Sequence, residues 1–380
     1  MKSIGIVTIH RIYNYGSVLQ AYALQQELVN LGYNVEIIDY LFPNEFQAKS
    51  STSNNKENAI QIGKKERFLK YLYGFSLFRQ HKEITRFLQQ KIHLSEQRYH
   101  NPEELKNNPP KYDIYVTGSD QVWNPRHCKG DPSFMLHFAP NDAKKVAYAA
   151  SIGVDKIEDQ YTSIYKKLLK RYDAIGVREQ SGEAVVEELC GKHPKTVLDP
   201  TLLLNAAQWN HIIPQERKIK QKYILCYYLN YTFNAFPYAD DLARHFHRLT
   251  GWKVVCVGRP PHELKIDGTK YMVGVSPEQL LQLVRDAELV LTTSFHGTAF
   301  SVNFSRPVFS LVQNNKNKIG KGDSRQTNLL NALGLGNRIL SLEDKFPNED
   351  NITCDYTEAN ERLENLRRHS MDFLTNALKD

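Results

Sequence analysis

No run of about 18 apolar residues occurs in the 380-residue chain, so the sequence predicts no membrane-spanning helix. Cysteine is scarce. Cys128, Cys190, Cys226, Cys256 and Cys354 stand singly, odd in number and without a CxxC pair. That argues against a zinc site or disulfide framework and leads us to expect a reduced, cytoplasmic setting. No GxGxxG follows the first apolar run and no GxxxxGK[ST] exists, which weighs against a dinucleotide-binding role and removes the P-loop. No His/Asp group of metal-ligand type is evident, so neither metal nor cofactor is expected. The opening "MKSIGIVTIHRIYNYG" lacks a small-residue cleavage site and reads as a first buried strand rather than a signal peptide. Nothing suggests a short repeat or a coiled coil, and no nucleic-acid partner is expected.

What is present fits a globular α/β protein of two ordinary domains, with 41% hydrophobic and 24% charged residues. "IGIVTI" precedes a helical pattern over residues 17–31 that Gly32 stops, and "NVEIID" follows. Residues 41–110 read as a helical insertion. Strands then resume with "YDIYVTGS", "KKVAYAAS", "DAIGV" and "KTVLD". A charged, aperiodic connector over 205–221, with Pro214, marks the expected boundary. The alternation restarts with "YILCYYL", "WKVVCVG", "LVLTTS" and "PVFSLV", separated by helices near 236–249, 277–287 and from about Thr298. The prediction is two doubly wound parallel sheets facing a cleft. The first domain covers 1–210 and the second 211–345. The extension 346–380 is expected to pack its helix back on the first domain.

The net charge of +7 is unevenly placed. Residues 61–94 carry eight Lys/Arg and two Glu, interleaved with Phe, Leu and Tyr. Such a segment suits peripheral contact with an anionic membrane face. A packed helix with a solvated basic side is the alternative.

Polar groups recur where strands end. Asn14, Tyr15, Gly16 and Ser17 follow the first strand; Asp120, Gln121 and Trp123 follow "YDIYVTGS". Arg178 and Glu179 stand behind "DAIGV", Asp199 behind "KTVL", Arg259 after "WKVVCVG" and His296 after "LVLTTS". Ligands of open α/β sheets bind at the carboxyl ends of strands, so one crevice is expected to hold them. Each has a structural alternative: Asp120 forms a turn, Arg178 an ion pair, Asn14 a helix start. At 294–298, Ser294 and Thr298 add hydroxyls, Gly297 allows close backbone approach, and a helix start favours anions. His296 there could donate a hydrogen bond or a proton near neutral pH.

Six stretches in order resemble the polysaccharide pyruvyl transferase family over nearly the whole chain. They are "NYGSVLQAYALQ" (14–25), "VTGSDQVWNP" (116–125), "VREQSG" (177–182), "LDPTLLL" (198–204), "TTSFHGTAFS" (292–301) and "GDSRQTNLLNALGL" (322–335). The resemblance implies a GT-B-like fold of two Rossmann-type domains, acceptor on the first and phosphoenolpyruvate on the second. It implies transfer of a carboxyvinyl unit to two sugar hydroxyls of a capsular or exopolysaccharide unit, giving a cyclic ketal and phosphate. The acceptor, lipid-linked or free, would place the work at the cytoplasmic face of the membrane. Some members carry Arg two residues before the His. Ser294 stands there in this chain, so the cation falls to Arg325, Lys321 or Arg259.

For that chemistry, His296 is expected to be the general acid, or the phosphate's proton donor, and Asp120 the base for a sugar hydroxyl. Arg178 and Arg325 would clamp the donor's anions, and Trp123 would offer an aromatic face. The alternatives are a GT-B glycosyltransferase using a nucleotide sugar, or an inactive glycan-binding member.

Overall fold

The computed structural model describes residues 1–42, 64–229, 233–258, 266, 268–313 and 324–379, with the backbone alone for 64–73 and 324. Thirteen strands are described: β1 (Ser3–Val7), β2 (Asn34–Tyr40), β3 (Leu94–Tyr99), β4 (Ile114–Thr117), β5 (Lys144–Ala150), β6 (Ala174–Val177) and β7 (Lys195–Thr196); then β8 (Tyr223–Tyr227), β9 (Lys253–Val257), β10 (Lys270–Met272), β11 (Leu289–Thr292), β12 (Val308–Val312) and β13 (Ile339–Ser341). They form two all-parallel sheets, ordered β3-β2-β1-β4-β5-β6-β7 and β10-β9-β8-β11-β12-β13. Central strands such as "IYVT" and "LVLT" are buried at every position, as a sheet covered on both faces requires.

Two compact units result. The first comprises residues 1–45, 87–204 and 363–380, the second 46–86 and 205–362. The expected boundary near 210 thus falls at Leu204/Asn205. The insertion is shorter than expected, because β3 and its neighbouring Pro102–Asn107 helix already belong to the first unit. The described part of the Lys64–Lys91 helix before Phe87 belongs to the second unit instead. Arg86 there pairs with Glu278 at 3.0 Å, and a Cβ at Gly274 would lie 2.3 Å from that of Arg79.

The last helix, Thr357–Leu378, returns to the first unit as expected. Ser370 Oγ accepts from the Leu198 amide at 2.9 Å, and Arg367 Nε donates to the Leu202 carbonyl at 2.6 Å. Phe373 occupies the space over β6 that only a glycine leaves: a Cβ on Gly176 would sit 2.7 Å from its ring.

Candidate functional site

In the first unit the loops leaving β1, β4, β5, β6 and β7 meet in one hydrogen-bonded network. Ser17 Oγ donates to Asp120 Oδ2 at 2.6 Å, while Asp120 Oδ1 accepts from the Gln121 amide at 2.8 Å. Asp120 has φ 74, a left-handed conformation that Asp tolerates better than most residues. Its carbonyl accepts from the Ser151 amide at 3.0 Å, which ties the β4 loop to β5. Ser151 Oγ in turn donates to Glu179 Oε1, and Arg178 Nε approaches the same oxygen at 3.4 Å. Arg178 Nη1 reaches Asp199 Oδ2 at 2.9 Å, an oxygen that also accepts from Ser119 Oγ. Thr201 holds the other Asp199 oxygen through its amide and hydroxyl.

Glu179 and Asp199 therefore share the Arg178 guanidinium, Asp120 is joined to them through Ser151, and Asp120, Arg178, Glu179 and Asp199 are all at least nine-tenths buried. Glu179 Oε2 has no hydrogen-bond partner among the described residues. Such a locus repels anions and favours hydroxyl donors. This corrects the reading of Arg178 as an anion clamp: its side chain is 2% exposed and turned into Asp199 and Glu179. Trp123 is also corrected. It is 0% exposed, donates Nε1–H to the Phe134 carbonyl at 3.0 Å and packs edge-on against Tyr172, so it offers no face to a sugar. Asn14 caps the Tyr15–Asn30 helix by accepting from the Gly16 amide, with Tyr15 buried in that first turn. Gln121 is held by Asn124, whose amide donates to it at 2.8 Å.

In the second unit the site is a helix start. The Phe295–Asn303 helix begins three residues earlier than the sequence pattern suggests, so His296 lies in its first turn. Ser294 is the N-cap, accepting from the Gly297 amide at 3.2 Å. Gly297 serves packing rather than ligand approach: a Cβ there would meet Thr292 Oγ1 at 2.4 Å and Tyr227 at 3.0 Å. Thr298 is likewise turned inward, bonded to the Ser294 carbonyl and to Ser310 Oγ.

The residue the sequence reading missed is Gln326, fully buried, whose Nε2 donates to Ser310 Oγ and reaches Thr298 Oγ1 at 3.4 Å. Its Oε1 lacks a partner among the described residues. Gln326 sits in "GDSRQTNLLNALGL", next to the expected Arg325. The structure does bring Arg325 to this place: its guanidinium lies 5.9 Å from the Phe295 ring centroid, and Phe295 packs edge-on against His296 at 5.1 Å. Arg259 and Lys321 lie outside the described residues.

No group of three or more His, Cys, Asp or Glu among the described residues could hold a metal ion. No described helix is long and apolar enough to cross a membrane.

Solved structures share the architecture at low identity. The Staphylococcus aureus MnaA–UDP co-structure matches with a TM-score of 0.50 and 12% identity, covering 100% of this chain and 93% of that one. UDP-N-acetylglucosamine 2-epimerase from Rickettsia bellii matches with a TM-score of 0.50 and 10% identity, over 99% and 96%. Arabidopsis thaliana UGT89C1 complexed with UDP-L-rhamnose gives 0.48 and 10%, over 98% and 94%. The first two likenesses speak to fold, and with the two parallel sheets they place the chain in the GT-B class. Comparison with curated proteins finds none that matches. A family model described as polysaccharide pyruvyl transferase matches residues 14–315, which include the Asp120–Arg178–Asp199 network and the His296 helix start. The chain belongs to the polysaccharide pyruvyl transferase family.

Proposed function

We propose that the protein transfers the carboxyvinyl unit of phosphoenolpyruvate to two hydroxyls of a polysaccharide sugar, closing a cyclic ketal and releasing phosphate. The observation that carries this reading is the contrast in charge between the two sites. The second unit offers a helix start with its dipole, with His296 in the first turn and Arg325 over Phe295. An anionic donor suits it. The first unit offers carboxylates in excess, which suit hydroxyls that must lose protons.

Chemically, His296 gives a proton to the donor's methylene carbon, and C2 then carries the developing positive charge. An acceptor hydroxyl attacks C2 and passes its proton to a carboxylate, for which Asp120 remains the candidate. Phosphate then leaves C2, the second hydroxyl attacks that carbon, and its proton goes to the departing phosphate. The Arg two residues before the His in some members is replaced by Ser294, and Arg325 supplies the cation from the next helix.

A nucleotide-sugar reaction is the second reading, favoured by the UDP complexes of the structural neighbours. Thermal shifts with phosphoenolpyruvate and with a nucleotide-sugar panel separate the two. Phosphoenolpyruvate alone should raise the melting temperature, and His296→Ala should cut phosphate release in the presence of acceptor by roughly 10²–10⁴-fold with an unchanged melt. Stabilisation by UDP-sugars and none by phosphoenolpyruvate would overturn the reading.

A further inference from the structure

The turn that leaves β4 fixes a carboxamide as firmly as a carboxylate. Asp120 folds back to accept from the Gln121 amide at 2.8 Å, so both side chains leave one turn. The Gln121 carbonyl accepts from the Asn124 amide at 3.1 Å and from the Cys128 thiol at 3.3 Å, which pins its backbone. A backbone group then decides which end of the Gln121 side chain faces outward. The Arg126 amide can only donate, and it takes Asn124 Oδ1 at 3.0 Å. Asn124 Nδ2 is therefore the end left to donate, and it does so to Gln121 Oε1 at 2.8 Å. Gln121 Nε2 is the end that remains.

Asn124 is buried, whereas Gln121 is partly exposed and its Nε2 donates to no described residue. Gly153, on the loop after β5, has φ 63, and a Cβ there would lie 2.7 Å from Asn124 Nδ2 and 3.0 Å from Gln121 Oε1. That loop closes over the bond between the two amides with no side chain to push them apart. Beside the spare donor stands a group that only accepts. Among the described residues, one Asp120 oxygen accepts from the Gln121 amide and the other from Ser17 Oγ, and each keeps a further lone pair. A carboxylate and an amide donor on one turn match a pair of hydroxyls: one donates to Asp120, and the oxygen of the other accepts from Gln121. An anionic ligand would be repelled by the same carboxylate.

We propose that Gln121 is a specificity-determining residue of the acceptor site, holding one hydroxyl oxygen of a neutral sugar diol whose other hydroxyl donates to Asp120. Asn124 is its positioning residue, because it decides that the end presented is a donor. The inference rests on the reading that the first unit binds the acceptor.

The test is equilibrium binding of neutral methyl hexopyranosides, their monodeoxy analogues and methyl glucuronoside to the full chain and its variants, with a melting curve for each. Gln121→Glu keeps the oxygen that Asn124 needs and removes only the outward N–H donors. Asn124→Asp keeps the oxygen that the Arg126 amide needs but attracts Gln121 Nε2, turning the donor inward. Each should weaken binding of the preferred neutral glycoside about three- to tenfold, the loss of one hydrogen bond. One monodeoxy analogue should lose as much in wild type, and that analogue should bind wild type and Gln121→Glu alike. Where either variant melts low, Gln121→Met carries the same prediction. A Gln121 that merely holds Asn124 requires Gln121→Glu to bind the glycoside as wild type does, and that result overturns the proposal. Gln121-dependent binding confined to the glucuronoside overturns it too, as does wild-type protein that binds no neutral glycoside. Binding that depends on Gln121 in a protein that never transfers a pyruvyl group counts against the proposed function and not against this site.

Discussion

At the scale of single residues, Arg178 shows how a position at a strand end can be spent on holding neighbouring carboxylates. Its guanidinium is bonded to the buried carboxylates of Glu179 and Asp199. Removing it leaves carboxylates buried and uncompensated, which in other buried pairs costs about 3–5 kcal/mol. Arg178→Met should therefore lower unfolding stability by several kcal/mol, and the loss should be as large without phosphoenolpyruvate as with it. A variant that melts like wild type but no longer binds phosphoenolpyruvate would restore the anion-clamp role. Trp123 belongs to the same class. Its position after β4 was legible in the sequence, but the loop's return to Phe134 and Tyr172 was not, since that depends on contacts distant in the chain.

At the scale of elements, the buried strands of both sheets could be read from apolar runs, whereas three of the four edges could not. β3 is "LSEQRY", polar at four of its six positions; β10 is three residues; β13 is three residues. Short, polar edge strands are how sheets avoid pairing with other chains, and that same design erases the hydrophobic pattern. The missed β3 is also what hid the Asp39–Arg98 ion pair, which depends on register: Asp39 is paired directly with Arg98 across β2 and β3. This cluster has a pH signature. Burial works to raise the Asp39 carboxyl, but hydrogen bonds from His10, Arg11 and Arg98 outweigh it and hold it well below the usual range. A depressed carboxylate stabilises the fold above its unfolded value, about 3.9, and that contribution is lost as pH falls toward the folded value. Asp39→Asn should thus be less stable than wild type at neutral pH. The gap should close by up to about 1.4 kcal/mol per pH unit below roughly pH 4. A gap that stays constant from pH 7 to pH 3 would show that Asp39 does not tie β1, β2 and β3 through its charge.

At the scale of the whole molecule, the charge is unevenly placed along the chain. The segment 61–94 holds +6 of a net +7, eight Lys/Arg against two Glu. The structure spends part of this internally: Arg86 is bound to Glu83 and Glu278, and Arg79 lies against Gly274 and over the Phe75 ring. It also leaves Phe75 and Phe78 at 47% and 65% exposed, unusual for side chains of that size. Exposed aromatics beside surplus cations are the composition of a helix that rests on an anionic bilayer, where each Lys or Arg contributes about 1 kcal/mol. If the acceptor is carried on a lipid, such attachment would raise its local concentration. We therefore expect the protein to co-sediment with vesicles containing anionic lipid and not with zwitterionic ones. Binding should weaken as salt shortens the screening length. Substituting Phe75 and Phe78 with Ser should reduce it without lowering the melting temperature, and so should changing Lys64, Lys65, Arg67 and Lys70 to Gln. The rival account, a packed helix with a solvated basic side, requires the two Phe changes to destabilise the fold and vesicle binding to be absent. Equal sedimentation with both vesicle types would rule out the electrostatic attachment, because screened charge is the only term that distinguishes those two surfaces.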